Sequence, residues 1–267
     1  EYYITRTELG ILRAHADELS TLLGRRVCLI EPGSGSGEKT RLMLSILRDP
    51  AAYVPIDISR EQLEEASAAL AREFPDVEIR PVCADFTDDF EIPDDDIDGV
   101  RRIVFFPGST IGNLLRSDAI ALLRRMRVVC SPRGGVLIGV DRKKKLDVLL
   151  PAYDDSAGVS AEFALNYLRR LNRELDATFD PESFEYDARY DERNGRIEMA
   201  LVSRCDQTVR VAGRQVRLRT NERIRTEYSH KFDLNEFSDL ARQARFRVAR
   251  VWSDADDLFS VHFLEPE

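Results

Sequence analysis

The run Glu31-Pro-Gly33-Ser-Gly35-Ser-Gly37 lies between a short apolar stretch, residues 27–30, and a stretch in which Leu42, Leu44 and Leu47 form the apolar side of a helix. Glycines at such a junction let the backbone turn sharply and approach a ligand with no Cβ in the way. Two nucleotide readings fail on spacing. A dinucleotide fingerprint needs G-x-G-x-x-G, but the third residue after Gly35 is Glu38. A P-loop needs glycine directly before its lysine, but Glu38 precedes Lys39. An acidic residue in the turn also repels phosphates and suits a zwitterionic, sulfonium-bearing ligand. Asp57 ends the next apolar run, about twenty residues past Gly37, where doubly wound folds set a carboxylate against ribose hydroxyls. Ala84-Asp85-Phe86 follows the third run; a carboxylate beside an aromatic there can bond an adenine amino group and cover the ring. Each group alone reads as turn chemistry. All three stand at the carboxyl ends of successive strands, converge on one crevice and point to S-adenosylmethionine as the cofactor.

The surrounding pattern supplies the elements that must position them. Residues 7–23 have helical periodicity. Apolar runs at 27–30, 52–58, 77–82, 102–106 and 135–140 read as strands, with helices after the first, the second (59 onward) and the fourth (117 to about 127). Ser59-Arg-Glu-Gln has the form of a capping box, and the acidic stretch 85–98, which contains Pro93, reads as a loop. Strands alternating with helices of this length predict a parallel sheet with right-handed crossovers and helices on both faces.

After Asp141 the pattern changes. Lys143 to Lys145 read as a solvated basic face, and residues 161–175 as a long helix. Alternating segments at 184–190 and 197–203, around Arg193-Asn194-Gly195, form one expected hairpin; 207–211 and 215–218, around Gly213, form a second. A helix at 234–243 and strands at 246–252 and 259–264 return to the first domain. The expected fold is α/β, a Rossmann-like sheet of the class I S-adenosylmethionine-dependent methyltransferase type with an inserted α+β substrate-binding lobe. Residues 1–143 form the cofactor domain with its N-terminal helix, 144–225 the lobe, and 226–267 the return.

The formal net charge of −9 argues against a nucleic-acid partner, which calls for a basic face. No apolar run reaches the length of a membrane span and no signal peptide is evident, so no membrane partner is expected. Cys28, Cys83, Cys130 and Cys205 form no C-x-x-C pair; the first three lie in or beside apolar runs and read as small buried residues, which fits a reducing, cytoplasmic setting. His15, His230 and His262 lack metal-ligand spacing, so no metal is expected. The chain begins at Glu1 without methionine and reads as a fragment. The oligomeric state is left open, a monomer included.

Six motifs are specific, the glycine-rich turn among them: Gly33-Ser-Gly35-Ser-Gly37-Glu-Lys-Thr-Arg41, Gly108-Ser-Thr-Ile-Gly-Asn113, Ala152-Tyr-Asp-Asp-Ser-Ala-Gly-Val159, Asn172-Arg-Glu-Leu175, Arg196-Ile-Glu-Met199 and Arg225-Thr-Glu-Tyr-Ser-His-Lys-Phe232. With them the chain resembles, over nearly its whole length, the L-histidine Nα-methyltransferases of ergothioneine biosynthesis, which convert histidine to its trimethylammonium betaine, hercynine. The resemblance implies cofactor contacts at Gly33, Lys39, Asp57, Asp85 and Phe86, with Gly35 in the same turn. It implies L-histidine contacts at Tyr2, Asn113, Tyr153, Glu227 and Ser229, and a further pocket position at Met199. Asn113 and Tyr153 would hold the amino and carboxylate groups as the catalytic pair, with no dedicated general base. Glu227 and Ser229 would bond the two imidazole nitrogens. A carboxylate and a hydroxyl two residues apart on an extended segment do point to one side, and a buried imidazole needs a partner at each nitrogen. Without the resemblance, Glu227 reads as a partner of Arg225 or Lys231 on a solvated strand. Pro32, Pro107, Tyr228 and His230 depart from the family pattern. Alternative readings are a methyltransferase for another amino acid, such as tryptophan or a histidine analogue, and a cofactor-binding module without turnover.

Overall fold

A computed structural model describes residues 1–34, 37–88, 92, 100–130 and 133–267. It divides into two compact units: a sheet unit, Ile4–Arg142 with Phe232–Glu267, and a lobe, Glu1–Tyr3 with Lys143–Lys231.

The sheet unit opens with two helices, α1 (Ile4–Ala14) and α2 (Ala16–Leu23), where sequence periodicity predicts one. The break falls at His15, whose φ of −113° and ψ of 21° leave helical geometry, and each helix buries its own apolar set. Then follow β1 (Val27–Pro32), α3 (Glu38–Ile46), β2 (Ala52–Asp57), α4 (Arg60–Glu73), β3 (Glu78–Ile79), β4 (Val82–Cys83), β5 (Arg101–Phe106), α5 (Arg116–Cys130) and β6 (Gly135–Asp141). The third expected strand is thus two short pieces, both paired to β2. Of the expected acidic loop, only residues 85–88 and Ile92 are described. β1 and β6 are buried along their full length, as strands covered on both faces must be, and for that reason they read as unbroken apolar runs.

In the lobe, the helix α6 (Leu146–Leu149) precedes a long helix, α7 (Val159–Leu175). Asp155 accepts the Val159 and Ser160 amide protons at the start of α7, at 2.9 and 2.8 Å. Asn172 binds both backbone polar groups of Phe179, at 2.7 and 2.9 Å, so the Asn172-Arg-Glu-Leu175 motif fixes the exit of α7. Ala164 and Leu168 of α7 pack with Phe184, Leu201, Val209 and Leu218. The lobe strands are β7 (Phe184–Asp191), β8 (Arg196–Ser203), β9 (Gln207–Val211), β10 (Arg214–Leu218) and β11 (Arg223–His230). They form an antiparallel sheet in the order β11-β8-β7 and a separate β9-β10 hairpin. Lys144 is not simply solvated: its ammonium bonds Tyr3 Oη and lies 4.2 Å from that ring's centroid.

The chain re-enters the sheet unit through α8 (Leu234–Gln243), β12 (Phe246–Ser253) and β13 (Phe259–Pro266). The completed sheet runs β12-β13-β6-β5-β1-β2-β3. β1, β2, β5 and β6 pair in parallel, while β13 is antiparallel to both β6 and β12. The strand order turns back between β1 and β5, which makes the carboxyl ends of these two strands the switch point at which doubly wound sheets bind ligands.

Two helix starts differ from expectation. Ser59 makes no side-chain cap on α4; its own amide instead donates to Asp57 Oδ1 at 2.9 Å. The reciprocal capping box forms on α8, between Asp233 and Glu236. All four cysteines are free; Cys28 and Cys130 are buried as expected, whereas Cys83, on the short edge strand β4, is exposed.

Candidate functional site

At the switch point of the sheet unit, Gly33 follows β1 with φ +72° and donates its amide to Ile56 O at 2.7 Å. A Cβ built on Gly33 would stand 3.3 Å from the Phe86 ring, so the missing side chain is what lets Phe86 close on the turn. Phe86 also stacks edge-on against Phe106 at the end of β5, with centroids 5.8 Å apart. Gly37 starts α3 with φ +75°, a conformation an L-residue adopts only at a cost. Gly35 lies outside the described residues. Asp57 ends β2 and Asp85 follows β4 by two residues; the β2–β4 pairing, which sets Asp57 opposite Cys83, and the bond from Ala84 N to Asp57 O at 3.1 Å bring both to the same end of the sheet. Asp57 is half-buried and pinned by the Ser59 amide. Asp85 is exposed; the Thr87 hydroxyl and amide, at 2.6 and 2.8 Å, hold its carboxyl below the usual range. The positive-φ turn, the aromatic face and the two carboxylates have the chemistry that an adenosyl group requires, and the cradle at Gly33 is one that a Cβ would fill.

Beneath this turn lies a buried polar layer. Lys39 reaches Glu8 Oε2 at 2.5 Å, and the same oxygen accepts the Gly108 amide at 2.8 Å. Burial pushes the Glu8 carboxyl up, with Lys39 opposing. The other oxygen, Oε1, has no hydrogen-bond partner among the described residues and lies 2.0 Å from where a Gly139 Cβ would stand. Glu31 is also buried rather than facing a ligand. Thr40 Oγ1 and Tyr53 Oη both donate to its Oε2 at 2.6 Å, and burial pushes its carboxyl up to about 7. Asn113 is exposed at the end of the 3-10 turn Thr110–Asn113. That turn begins at Ser109, whose φ is +58° and whose Oγ accepts the Asp141 amide at 2.9 Å.

In the lobe, one face of the three-stranded sheet carries the other candidates. The β8–β11 register shifts between Arg225 and Glu227, leaving Thr226 as an extra residue whose hydroxyl donates to Met199 O at 3.2 Å. Because alternate side chains point to opposite faces, this bulge decides which residues share the Met199 face. Met199 lies opposite Glu227, and Ile197 opposite Ser229. Tyr228 and His230 alternate onto the other face, where the Arg196 and Arg225 guanidinium groups lie 3.7 and 4.3 Å from the Tyr228 ring centroid. These two departures from the family pattern therefore sit away from Glu227 and Ser229.

Tyr153, held in place by its backbone oxygen accepting from Tyr186 Oη at 2.7 Å, brings its hydroxyl 2.9 Å from Ser229 Oγ. The Tyr2 ring, half-exposed, meets the Tyr153 ring edge-on at 6.2 Å. Glu227 is open to solvent yet crowded enough by protein that burial raises its carboxyl, opposed by Lys231. Tyr2, Tyr153, Met199, Glu227 and Ser229 thus belong to one neighbourhood of the lobe, while Asn113 and the cofactor candidates belong to the sheet unit.

Two buried residues receive no site role from the sequence. Glu8 anchors Lys39, and Lys231 donates to Ser229 Oγ at 2.7 Å and to Tyr153 Oη at 2.5 Å. The signal for Lys231 was the two-residue spacing it shares with Glu227 and Ser229.

Residues 1–266 match the family model described as histidine-specific methyltransferase, SAM-dependent. A histidine N-alpha-methyltransferase of Mycolicibacterium smegmatis is 40% identical over 261 residues, covering 95% of this chain and 79% of that protein. Ergothioneine biosynthesis protein 1 of Neurospora crassa is 30% identical over 275 residues, covering 99% of this chain and 30% of that longer protein. Among solved structures, an S-adenosylmethionine-dependent methyltransferase from Clostridium acetobutylicum superposes with a TM-score of 0.52 at 9% identity, covering 100% of this chain and 92% of the other. The likeness is one of fold: a Rossmann-like methyltransferase sheet.

Proposed function

The chain belongs to the family of histidine-specific, S-adenosylmethionine-dependent methyltransferases, and from this we propose that it transfers methyl groups to the α-amine of L-histidine. The product is Nα,Nα,Nα-trimethylhistidine, hercynine, made for ergothioneine biosynthesis. The observation that carries this reading is the lobe face on which Glu227 and Ser229 stand two residues apart, with Tyr153 Oη 2.9 Å from Ser229 Oγ. A neutral imidazole presents one N–H and one bare nitrogen. A carboxylate accepts from the first and a hydroxyl donates to the second.

S-adenosylmethionine, when bound, supplies an electrophilic methyl group on a sulfonium. The residues proposed to hold it are Gly33, Gly35, Lys39, Asp57, Asp85 and Phe86, with Asp57 on the ribose hydroxyls and Asp85 and Phe86 on the adenine. Displacement at such a methyl needs alignment more than acid–base help, and alignment alone is worth orders of magnitude in rate. Asn113 is assigned the amino group of histidine and Tyr153 its carboxylate, so that the amine is presented in its neutral, nucleophilic form. Its proton leaves to water. The Tyr2 ring offers a π-face to the trimethylammonium cation that accumulates. Met199 borders the imidazole. The partner is thus a small molecule. No helix among the described residues is long and apolar enough to cross a membrane, and the four free thiols support a cytoplasmic site of action.

Mass spectrometry of L-histidine incubated with the protein and S-adenosylmethionine tests the reading. A mass gain of three methyl groups is expected. Methylation of tryptophan or a histidine analogue in place of histidine would move the reading to that substrate, and cofactor binding with no methylated amino acid would replace it with a binding module.

A further inference from the structure

Lys231 is 2% exposed, and its ammonium reaches both Tyr153 Oη and Ser229 Oγ. Such burial keeps it from touching a ligand directly, and a buried ammonium is retained only where hydrogen-bond acceptors meet it. An ammonium has three donors and no acceptor. Both hydroxyl oxygens therefore accept from Lys231, and both hydroxyl protons must point elsewhere. One proton can be shared across the 2.9 Å contact between Tyr153 and Ser229; the other has to leave the cluster. The trio thus always offers at least one outward O–H donor on the face it shares with Glu227, whose ionised carboxylate only accepts. One fixed donor beside one fixed acceptor is the complement of a neutral imidazole ring. Without the ammonium, either hydroxyl could turn its lone pairs outward and that polarity would be lost.

We propose that Lys231 is a positioning residue for recognition of the substrate ring: its buried ammonium fixes the direction in which the Ser229 and Tyr153 hydroxyls donate. The proposal rests on the histidine reading above. Lys231 acts through the two hydroxyls, so its effect depends on their presence.

The test is a double-mutant cycle of Lys231→Met and Ser229→Ala, read as histidine KM, kcat and the Kd of S-adenosylhomocysteine. Lys231→Met is expected to raise the histidine KM at least about tenfold, because a hydrogen bond to a charged group is lost and the hydroxyls lose their orientation. Its kcat should stay within about threefold and its S-adenosylhomocysteine Kd within about twofold; in the Ser229→Ala background the same change should cost no more than about threefold in KM, the non-additivity of groups acting as a unit. Lys231→Gln keeps donors without the charge; its KM should fall between the two, and it serves in place of the Met variant should that variant not fold. An unchanged KM, full additivity with Ser229→Ala, or a parallel loss of S-adenosylhomocysteine affinity would overturn the proposal. Wild-type protein that fails to methylate histidine would overturn the functional reading and this proposal with it; wild-type protein that methylates histidine beside an additive cycle overturns this proposal alone.

Discussion

Met199 and Glu227 face each other directly across β8 and β11, immediately after the register shift that sets Thr226 aside. Side chains opposite one another on a strand pair are close neighbours. A thioether and a carboxylate are thereby presented as one surface, apolar for a ring face and charged for a ring N–H.

Truncating that carboxylate removes the acceptor while leaving the sheet ladder intact. Glu227→Ala is expected to raise the histidine KM at least about tenfold, the cost of leaving a polar group of the ligand unpaired. The Kd of S-adenosylmethionine should not move, since every cofactor candidate lies in the other unit. Steady-state kinetics with histidine as the varied substrate decides this; an unaltered KM rejects the assignment of Glu227 to the ring.

The Glu8–Lys39 pair makes a different demand. Its lysine side chain is 14% exposed and its carboxylate 1%, so the pair is buried rather than screened. Glu8→Ala would leave Lys39 without its charge partner and the Gly108 amide without an acceptor. A loss of about 3 kcal/mol in urea unfolding is expected, as for breaking other buried pairs. Weaker S-adenosylmethionine binding should accompany it if Lys39 contacts the cofactor. A loss below about 1 kcal/mol would mean that the pair contributes no more than an exposed one.

Gly33→Ala probes the cradle. Alanine at φ +72° is strained, and its Cβ would press on Phe86 at 3.3 Å. The fold should lose about 1–2 kcal/mol, and S-adenosylmethionine affinity should fall more steeply than stability does. Calorimetric titration beside a thermal melt separates the two. Equal affinity in the variant would remove Gly33 from the cofactor contacts.

Much of this architecture is legible in the chain, and the parts that are not have definite causes. β1 and β6 are visible because strands covered on both faces must be apolar throughout. The two-residue strands β3 and β4 are too short to carry a pattern. The antiparallel direction of β13 is invisible because alternation reads the same in either direction; the pairing to β6 decides it. Ser59 has capping-box spacing, but Asp57 captures the backbone amide first. Among the site candidates, the residue types and their strand-end positions can be read off, whereas the Thr226 bulge cannot. The alternation of Arg225, Glu227, Ser229 and Lys231 looks regular, and only the ladder shows where the register shifts.

Two buried groups give stability opposing pH dependences. His262 is pushed down to about 3 by burial, with Arg142 adding to the effect, so it is neutral in the fold. Its contribution is full above an unfolded value of about 6.5 and is lost as pH falls toward 3. Glu31, pushed up to about 7 by burial, runs the other way: its contribution is full below the ordinary 4.5 and is lost as pH rises through 7. Between these values the two slopes oppose, each at most about 1.4 kcal/mol per pH unit. Removing one should unmask the other. Relative to wild type, Glu31→Gln should gain stability from pH 5 to pH 8, and His262→Phe should gain from pH 7 to pH 5. Unfolding midpoints at these pH values check both signs, and parallel curves for variant and wild type would contradict them.

Deleting Thr226 tests whether the bulge itself is needed. With the extra residue gone, Arg225 opposite Ala200 and Glu227 opposite Met199 become consecutive pairs of a regular ladder, and every side chain keeps its face. What is lost is the bond from the Thr226 hydroxyl to Met199 O and the extra local twist that a bulge adds. The downstream segment stays tied at Lys231, whose amide donates to Gly195 O at 2.8 Å. Histidine methylation should therefore survive, with the histidine KM raised by no more than about tenfold, the scale of one lost hydrogen bond, and S-adenosylhomocysteine still bound. A loss of methylation of at least about a hundredfold would show that the twist at the bulge, and not the face alone, aims Glu227 and Ser229.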